Sequence, residues 1–461
     1  MSPNIKPNFQ TMKDNRRSFL KKLGLSTGVA ALAPSIMAEA NSIHKEYISR
    51  EDSFVADQPI RLALIGAGIM GTEDTNTALR HANVSLVAVC DLYDGRLQSA
   101  KQKWGDHLFL TKDHKEILKR SDVDAVIIGT PDSWHKQISI DSLNAGKHVY
   151  CEKPMVHSVK EGQEVIDAWR KSGKVMVVGS QGISSLGNEK AKELLAAGVI
   201  GDIVYAEGFW ARMSPEGAWQ YNVPADGNDK TVDWKRYISN TTQRDWDPLR
   251  FFRWRNYLDY GTGMSGDLFV HLFTSLHFIT NSKGPSKIAS LGGLRYWKDG
   301  REVPDVLLGS FDYPETPEHR GFNLSLRCNF VDGTSGTTYL RIVGTKGSMD
   351  VKWEEVVVKL NSNAESDDPF MKEQAKLRAA SGEEERAKIL PPRETSYTAE
   401  RSWKGAHYDH FGKWFKAIRT GGSVEEDPIF GFRAAAPALL CNDSYFQDKF
   451  IKWDPVNMKL I

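Results

Sequence analysis

The 461-residue sequence predicts an α/β protein with two parts: an N-terminal doubly wound parallel sheet, and a C-terminal α/β domain with an open, mainly antiparallel sheet. Three observations carry this. Strand-type and helix-type runs alternate between residues 58 and 180. A glycine-rich turn closes the first of those strands, at Gly66. From Lys287 to Val358 the runs are β-type throughout, separated by turns such as Asp332-Gly333 and Lys346-Gly347. The length favours two domains over one core. A hydrophobic content of 40% and a charged content of 26% are those of an ordinary soluble protein. The balance of 60 basic against 59 acidic residues argues against a nucleic-acid surface.

The N-terminus reads as a targeting segment. Asn15-Arg16-Arg17-Ser18-Phe19-Leu20-Lys21 carries a twin arginine, the apolar run Leu23 to Met37 follows, and Ala38-Glu39-Ala40 offers a small-residue cleavage site. Together these look like a twin-arginine export signal over residues 1–40, which implies a periplasmic or otherwise exported protein. A disordered basic tail is the alternative. The run contains Gly24, Gly28 and Pro34 and is too short for a good membrane span. Residues 41–57 read as a polar, irregular leader.

Residues 58–180 form the predicted nucleotide-binding domain. Ile60 to Ile65 is an apolar strand that stops at Gly66, and Gly66-Ala67-Gly68-Ile69-Met70-Gly71 has the spacing of the dinucleotide fingerprint. Gly66 makes the turn, Gly68 lets the backbone approach a pyrophosphate, and Gly71 lets the following helix pack on the strand. The helix start aims free N–H groups at the phosphates. Val84 to Cys90 is the second strand, and Asp91 at its end suits the adenosine ribose hydroxyls. An anion there, with Leu92 and Tyr93 offering no cation, selects NAD over NADP. A glycine turn in an unrelated α/β protein is the alternative.

A helical stretch ending near Trp104, a short helix around Glu116 to Lys119, a strand from Asp124 to Gly129, a helix from Ser133 to Ala145, and strands His148 to Cys151 and Val175 to Val178 complete the alternation. Ligands belong at the carboxyl ends of such strands. Two segments sit there. In Thr130-Pro131-Asp132-Ser133-Trp134-His135, Pro131 fixes a turn and Ser133 can cap the helix, while Thr130, Pro131 and His135 face the nicotinamide half. Cys151-Glu152-Lys153-Pro154 places a lysine beside the nicotinamide, where lysine suits acid/base work. An ordinary Glu–Lys surface pair is the bland reading. Glu152, Lys153 and Gln181, beyond the last strand, are counted with the cofactor-binding residues. Cys90, Cys151, Cys328 and Cys441 lack metal-type spacing and are expected to be buried free thiols, with no zinc site.

The second domain is expected over residues 181–430, beginning with a strand from Asp202 to Arg212. Trp210, Trp219, Trp234, Trp246 and Trp254 are interleaved with Arg244, Arg250, Arg253 and Arg255. Such a mixture would also fit single-stranded nucleic acid. Without net positive charge it fits a sugar ring better, or an aromatic loop packed on a sheet edge. The run Gly261 to Gly266 leads into a helix whose first turns hold Asp267 and His271, four apart and on one face. A carboxylate and an imidazole so placed can pass a proton or bind a metal; with no third ligand in view, proton transfer is preferred. His277 lies off that face. Further strands are expected at Ser290 to Trp297, Val306 to Asp312, Asn323 to Asn329, Thr337 to Val343 and Val356 to Leu360. Ser362 to Pro392 reads as a charged insertion with one helix, and Trp403 to Thr420 and Gly431 to Phe450 as helices. Residues 431–461 are expected to return to the first domain.

With these residues in view, the chain after residue 58 resembles the glucose–fructose oxidoreductase / inositol dehydrogenase (Gfo/Idh/MocA) family. The resemblance rests on the glycine fingerprint, Asp91, Thr130-Pro131 with His135, Glu152-Lys153-Pro154, and Gly263 through Asp267 to His271. It implies a Rossmann domain followed by an open-sheet domain that members often use to build dimers or tetramers. It places the catalytic lysine on Lys153, the substrate-side aspartate on Asp267 and the catalytic histidine on His271, with Lys153 and His271 as a hydrogen-bonded proton-transfer pair. It further implies NAD-dependent hydride transfer at a carbinol carbon of a sugar, cyclitol or glycoside. Two other readings stay open: a glycoside hydrolase acting by transient C3 oxidation, whose Tyr-Pro-Thr-His motif is not found after the second domain begins, and a non-catalytic sugar sensor with structural NAD.

Overall fold

The computed structural model describes residues 44–50, 58–334, 338–361 and 393–461, with 373, 376 and 377 between the last two stretches. The expected signal (1–40), most of the leader and the charged insertion apart from those three residues lie outside the described residues.

After strand β1 (His44–Ile48), the chain builds a six-stranded parallel sheet from β2 (Ile60–Ile65), β3 (Val84–Cys90), β4 (Phe109–Thr111), β5 (Ala125–Ile128), β6 (His148–Cys151) and β7 (Met176–Val178). The spatial order is β4-β3-β2-β5-β6-β7. Its central strands are almost pure aliphatic runs, with Leu62, Ala63, Leu64 and Val126 wholly buried, because helices cover both faces. The helices are α1 (Ile69–Ala78), α2 (Asp94–Trp104), α3 (His114–Leu118), α4 (His135–Asn144) and α5 (Gly162–Ser172), while α6 (Leu186–Ala196) packs on the second sheet. Chain order reverses between β2 and β5, which opens a crevice at their carboxyl ends.

The second sheet has eleven strands: β1, then β8 (Ile203–Ala211), β9 (Lys287–Gly293), β10 (Val306–Tyr313), β11 (Phe322–Asn329), β12 (Thr338–Gly344), β13 (Gly347–Val351), β14 (Glu355–Leu360), β15 (Arg393–Ala399), β16 (Ile451–Asp454) and β17 (Lys459–Leu460). All neighbours are antiparallel except β8 with β11 and β1 with β15. Strand β10 shows why one face is buried: Leu307, Gly309 and Phe311 point in while Leu308 and Ser310 point out. Short helices α7 (Trp234–Tyr237) and α8 (Pro248–Phe252) follow β8, and the inner face of the sheet carries α9 (Val270–Thr280) and α11 (Pro428–Gln447).

Several expectations change. The leader is not irregular throughout: His44 to Ile48 pairs with β15 along the sheet edge, and Arg50 anchors it on Asp409 at 2.5 Å and on Glu189. The polar pentapeptide gives no strand signal because its stability comes from backbone pairing at an edge. Strand β9 ends at Gly293 rather than Trp297. The N–H groups of Arg295, Tyr296 and Trp297 donate to the Asp305 carboxylate at 2.8, 2.9 and 2.7 Å, which turns the chain out of the ladder. Ser133 does not cap a helix; its hydroxyl has no partner among the described residues, and a single 3₁₀ turn (Asp132–Trp134) precedes α4. The return to the first sheet begins before residue 431. Helix α10 (Ala406–Thr420) buries Phe411, Trp414 and Phe415 against it, while the tail strands β16 and β17 extend the second sheet. All four cysteines are buried and free.

Candidate active site

The glycine turn fits its inferred task. A Cβ on Gly66, whose φ is +94°, would lie 2.7 Å from the Gly129 backbone, and one on Gly71 would lie 2.1 Å from the Gly66 carbonyl oxygen. Above Gly68 there is open space. Helix α1 starts there with no side-chain cap, so its first N–H groups face an anion-sized opening. The groove running from this turn is lined by Gly66, Gly68, Ile69, Met70, Asp91, Thr130 and Pro131. Ile69 is 67% exposed: it is an apolar wall of the groove, not a core residue of its helix. The buried Thr130 hydroxyl has no partner among the described residues, as expected of a group awaiting a polar cofactor atom.

Asp91 does two things at once. Its carboxylate accepts from the Ala67 N–H at 2.8 Å and the Tyr93 N–H at 2.9 Å, pinning the glycine turn, while facing the groove. Arg96, one turn into α2, stands 3.6 Å away. It is the cation that a reading of Leu92 and Tyr93 alone does not find.

The opposite wall comes from residues 221–255 of the second domain, including Tyr221, Tyr237, Phe251, Phe252 and Trp254. This stretch is strapped to the first sheet. The Asp233 N–H donates to Leu92 O at 2.9 Å, the Asp94 N–H to Thr231 O at 3.0 Å and the Trp134 indole to Tyr237 O at 3.0 Å, and Arg236 pairs with Asp113 at 3.0 Å. Trp234 stacks on Tyr237 and meets Trp246 edge-on, and Trp219 packs on Phe330. These three tryptophans build the strap and its support rather than a sugar platform.

Next to Arg255, which lines the groove, Lys153 and Asp267 form a buried pair. Lys153 Nζ donates to Asp267 Oδ1 at 2.9 Å and to the Asp267 backbone carbonyl at 2.7 Å, with both side chains 8% exposed. Arg255 Nε donates to the same carboxylate oxygen at 3.2 Å, and its guanidinium lies 4.2 Å over the Trp254 ring. Burial alone would raise the Asp267 pKa; the Lys153 ammonium and the Arg255 guanidinium hold it well below the usual carboxylate range. Asp267 lies in a π-helical turn (Ser265–Phe269) that joins α9. Such turns recur where a helix must aim a functional side chain.

His271 is not bonded to Lys153. The lysine uses two of its three N–H groups on Asp267, and His271 Nδ1 has no partner among the described residues. Burial, with Lys153 nearby, lowers the His271 pKa to about 3, so its ring is neutral. It lies between Trp210, stacked at 5.5 Å, and Trp353, edge-on at 6.1 Å. A neutral ring with a partnerless nitrogen beside two indoles is suited to meet a hydroxyl-bearing ligand. Neither Trp353 nor Arg255 stands out as a site residue in the sequence. Trp353 lies in a β-turn far from any motif, and Arg255 is one of four alternating arginines.

His135 stands behind the groove. Its Nδ1 lies 2.7 Å from Pro154 O and its Nε2 3.0 Å from Thr130 O, so both nitrogens face acceptors and both must donate. The ring is therefore an imidazolium that staples the Thr130-Pro131 turn to the Lys153-Pro154 turn. Burial opposes the charge, but the Cys151 sulfur, Asp132 and the Pro154 carbonyl carry its pKa up to about 10. Glu152 and Gln181, expected on the cofactor, lie inside the fold: Gln181 Nε2 donates to Glu152 Oε1 and to the Tyr150 hydroxyl, each at 3.1 Å. No group of side chains suited to hold a metal occurs among the described residues.

Residues 60–180 match the sequence profile of an oxidoreductase family with an NAD-binding Rossmann fold, GFO_IDH_MocA. Inositol 2-dehydrogenase of Salmonella typhimurium is 31% identical over 161 residues, 34% of this chain and 48% of that protein. An alpha-N-acetylgalactosaminidase of Shewanella oneidensis is 28% identical over 238 residues, 48% of this chain and 50% of that protein. The chain thus spans about half the length of the curated relatives it matches. A levoglucosan dehydrogenase solved with NADH and levoglucosan shares the fold at a TM-score of 0.61 and 18% identity, over 86% of this chain and 99% of that one. A dehydrogenase from Bordetella pertussis solved with NADH and UDP-GlcNAcA does so at 0.63 and 16%, over 87% and 99%.

Proposed function

The chain belongs to the Gfo/Idh/MocA oxidoreductase family through its NAD-binding Rossmann domain, and from that premise we propose that it oxidises a carbinol carbon of a sugar or cyclitol. The observation that carries this is the buried Lys153–Asp267–Arg255 cluster, with the orphaned nitrogen of His271 beside it, next to the groove that bears the fingerprint. NAD, when bound, supplies the hydride acceptor. As the free amine, Lys153 keeps its two N–H bonds to Asp267 and has its lone pair left, which meets the substrate hydroxyl and takes its proton, giving the ammonium. Asp267 orients that ammonium and, with Arg255, fixes the charge around it. His271 Nδ1 bonds a neighbouring hydroxyl, and Trp210 and Trp353, which pack on the His271 ring, border the substrate there.

A second reading is an NAD-dependent glycoside hydrolase, in which the same oxidation acidifies the adjacent carbon before the glycosidic bond breaks. Two observations favour it: the match to the alpha-N-acetylgalactosaminidase runs over more of the chain than that to the inositol dehydrogenase, and the strap would hold a nucleotide that need not leave between turnovers. A panel of myo-inositol, levoglucosan and p-nitrophenyl alpha-N-acetylgalactosaminide separates the two. The dehydrogenase reading expects NADH to accumulate with a polyol and no release of nitrophenol. Nitrophenol release without net NADH supports the hydrolase, and neither signal refutes both.

We also propose export through the twin-arginine segment. Replacing Arg16 and Arg17 together by lysine should leave the protein in the cytoplasm, as read by cell fractionation; normal export of that variant would refute the assignment.

A further inference from the structure

A second set of titratable groups lies on the opposite side of β6 from His135. Tyr150 and Glu152 are two apart and share one face of the strand. The Tyr150 hydroxyl donates to Glu152 Oε1 at 3.4 Å, and Gln181 Nε2 bridges both. Asp74, wholly buried on α1, meets Nε2 of His407 from α10 at 2.9 Å. Glu426, just ahead of α11, completes the group. Within it, Asp74 Oδ2, Glu426 Oε2 and the fully buried Ser180 hydroxyl make no close hydrogen bond among the described residues, although Tyr150 lies near enough to Asp74, and Ser180 to Glu426, to interact. Orphaned polar atoms gathered in one interior are the setting of ordered water. His407 leads out of it: its side chain is 27% exposed.

Under the oxidoreductase reading, one proton appears at Lys153 for every hydride removed. Lys153 is 8% exposed, and its Nζ is bonded to the Asp267 carboxylate that Arg255 of the groove wall also meets. Its proton cannot simply be given to bulk water. The interior group is suited to take it. Burial raises Asp74 and Glu426 well above ordinary carboxyl values and pushes Glu152 up to about 8, while it lowers His407. The charged groups bearing on Asp74 and His407 are Glu73 from α1, Arg80 just after it, Lys153 and Glu152 beyond β6, and each other. Burial thus works against the charged forms of both Asp74 and His407, which favours a proton shared between them over a fixed ion pair.

Resting on that reading, we propose that Glu152, Tyr150 and Asp74, with intervening water and with His407 at the mouth, form a proton path between Lys153 and solvent. One proton enters at Lys153 Nζ from the substrate hydroxyl and one leaves from the His407 imidazole; no other bond changes.

The test uses the full protein carrying NAD. In weak buffer, His407→Ala should slow NADH formation at least about tenfold with whichever polyol of the panel reduces NAD fastest. NAD affinity, read by fluorescence, should be unchanged, and added imidazole should restore at least half the rate, which a merely structural loss would not allow. Infrared spectra of the unaltered protein at neutral pH should show a carboxylic-acid carbonyl band that weakens in Asp74→Asn. Full turnover of His407→Ala in weak buffer, a loss that imidazole does not relieve, or absence of that band would each overturn the path. The infrared arm needs no substrate, so failure of the whole polyol panel with the band present counts against the oxidoreductase reading instead.

Discussion

Glu152 shows how a residue can be placed correctly in a motif and still have a different neighbourhood. Its position after β6 suggests the nicotinamide, yet its carboxyl turns inward to Tyr150 and Gln181. Burial, then Asp74, raise its pKa from 4.5 to about 8. The folded protein then binds more protons than the unfolded chain between those values. The stability tied to Glu152 is therefore complete below about pH 4.5 and is lost as pH rises through about 8. Glu152→Gln keeps an oxygen for Gln181 and cannot ionise. Thermal melts should show the variant losing less stability than the unaltered protein across that window, with a difference in slope of up to about 1.4 kcal/mol per pH unit. Parallel curves would mean that the carboxyl ionises freely in the fold. His135 is legible in the sequence only as a histidine near the nicotinamide half. That it is an imidazolium follows from two carbonyls 19 and 5 residues away, which no local pattern reveals.

The strap is the element on which the nucleotide groove depends. Its tryptophans suggest sugar recognition because, in sequence, an aromatic that stacks on a ligand and one that stacks on a tyrosine look alike. Trp234 belongs to the second kind, and Trp210 lies against His271. The difference is set by contacts across more than a hundred residues, such as Asp233 with Leu92. The Tyr93 hydroxyl donates to Asp226 at 2.5 Å and ties the strap to the turn after Asp91. Tyr93→Phe should raise the NAD dissociation rate about three- to tenfold, the scale of one intramolecular hydrogen bond, as measured by stopped-flow displacement. An unchanged rate would show that the strap closes without that bond. By contrast, five of the six parallel strands are legible nearly to their ends, because aliphatic runs buried on both faces cannot be shifted without exposing them; the three-residue edge strand β4 is not.

On the scale of the molecule, the two sheets meet where the turn after β6 reaches the turn before α9, and that meeting makes the site. Lys153 and Asp267 are 114 residues apart and share hydrogen bonds of 2.7 and 2.9 Å. The motifs around them identify both residues, but lead to the lysine being paired with His271; the π-turn at Ser265–Phe269, which no periodicity announces, brings Asp267 to it instead. The return of helix α10 to the first sheet is likewise hidden, since an amphipathic helix does not say which sheet it covers. The central claim is that Lys153 removes the substrate proton as hydride leaves. It is tested most directly by Lys153→Met, which keeps much of the side-chain volume and removes the amine. In single-turnover mixing with the polyol that the unaltered protein oxidises, the variant should bind NAD within about twofold of normal and form NADH at least about a hundredfold more slowly. Near-normal NADH formation by Lys153→Met would contradict the account.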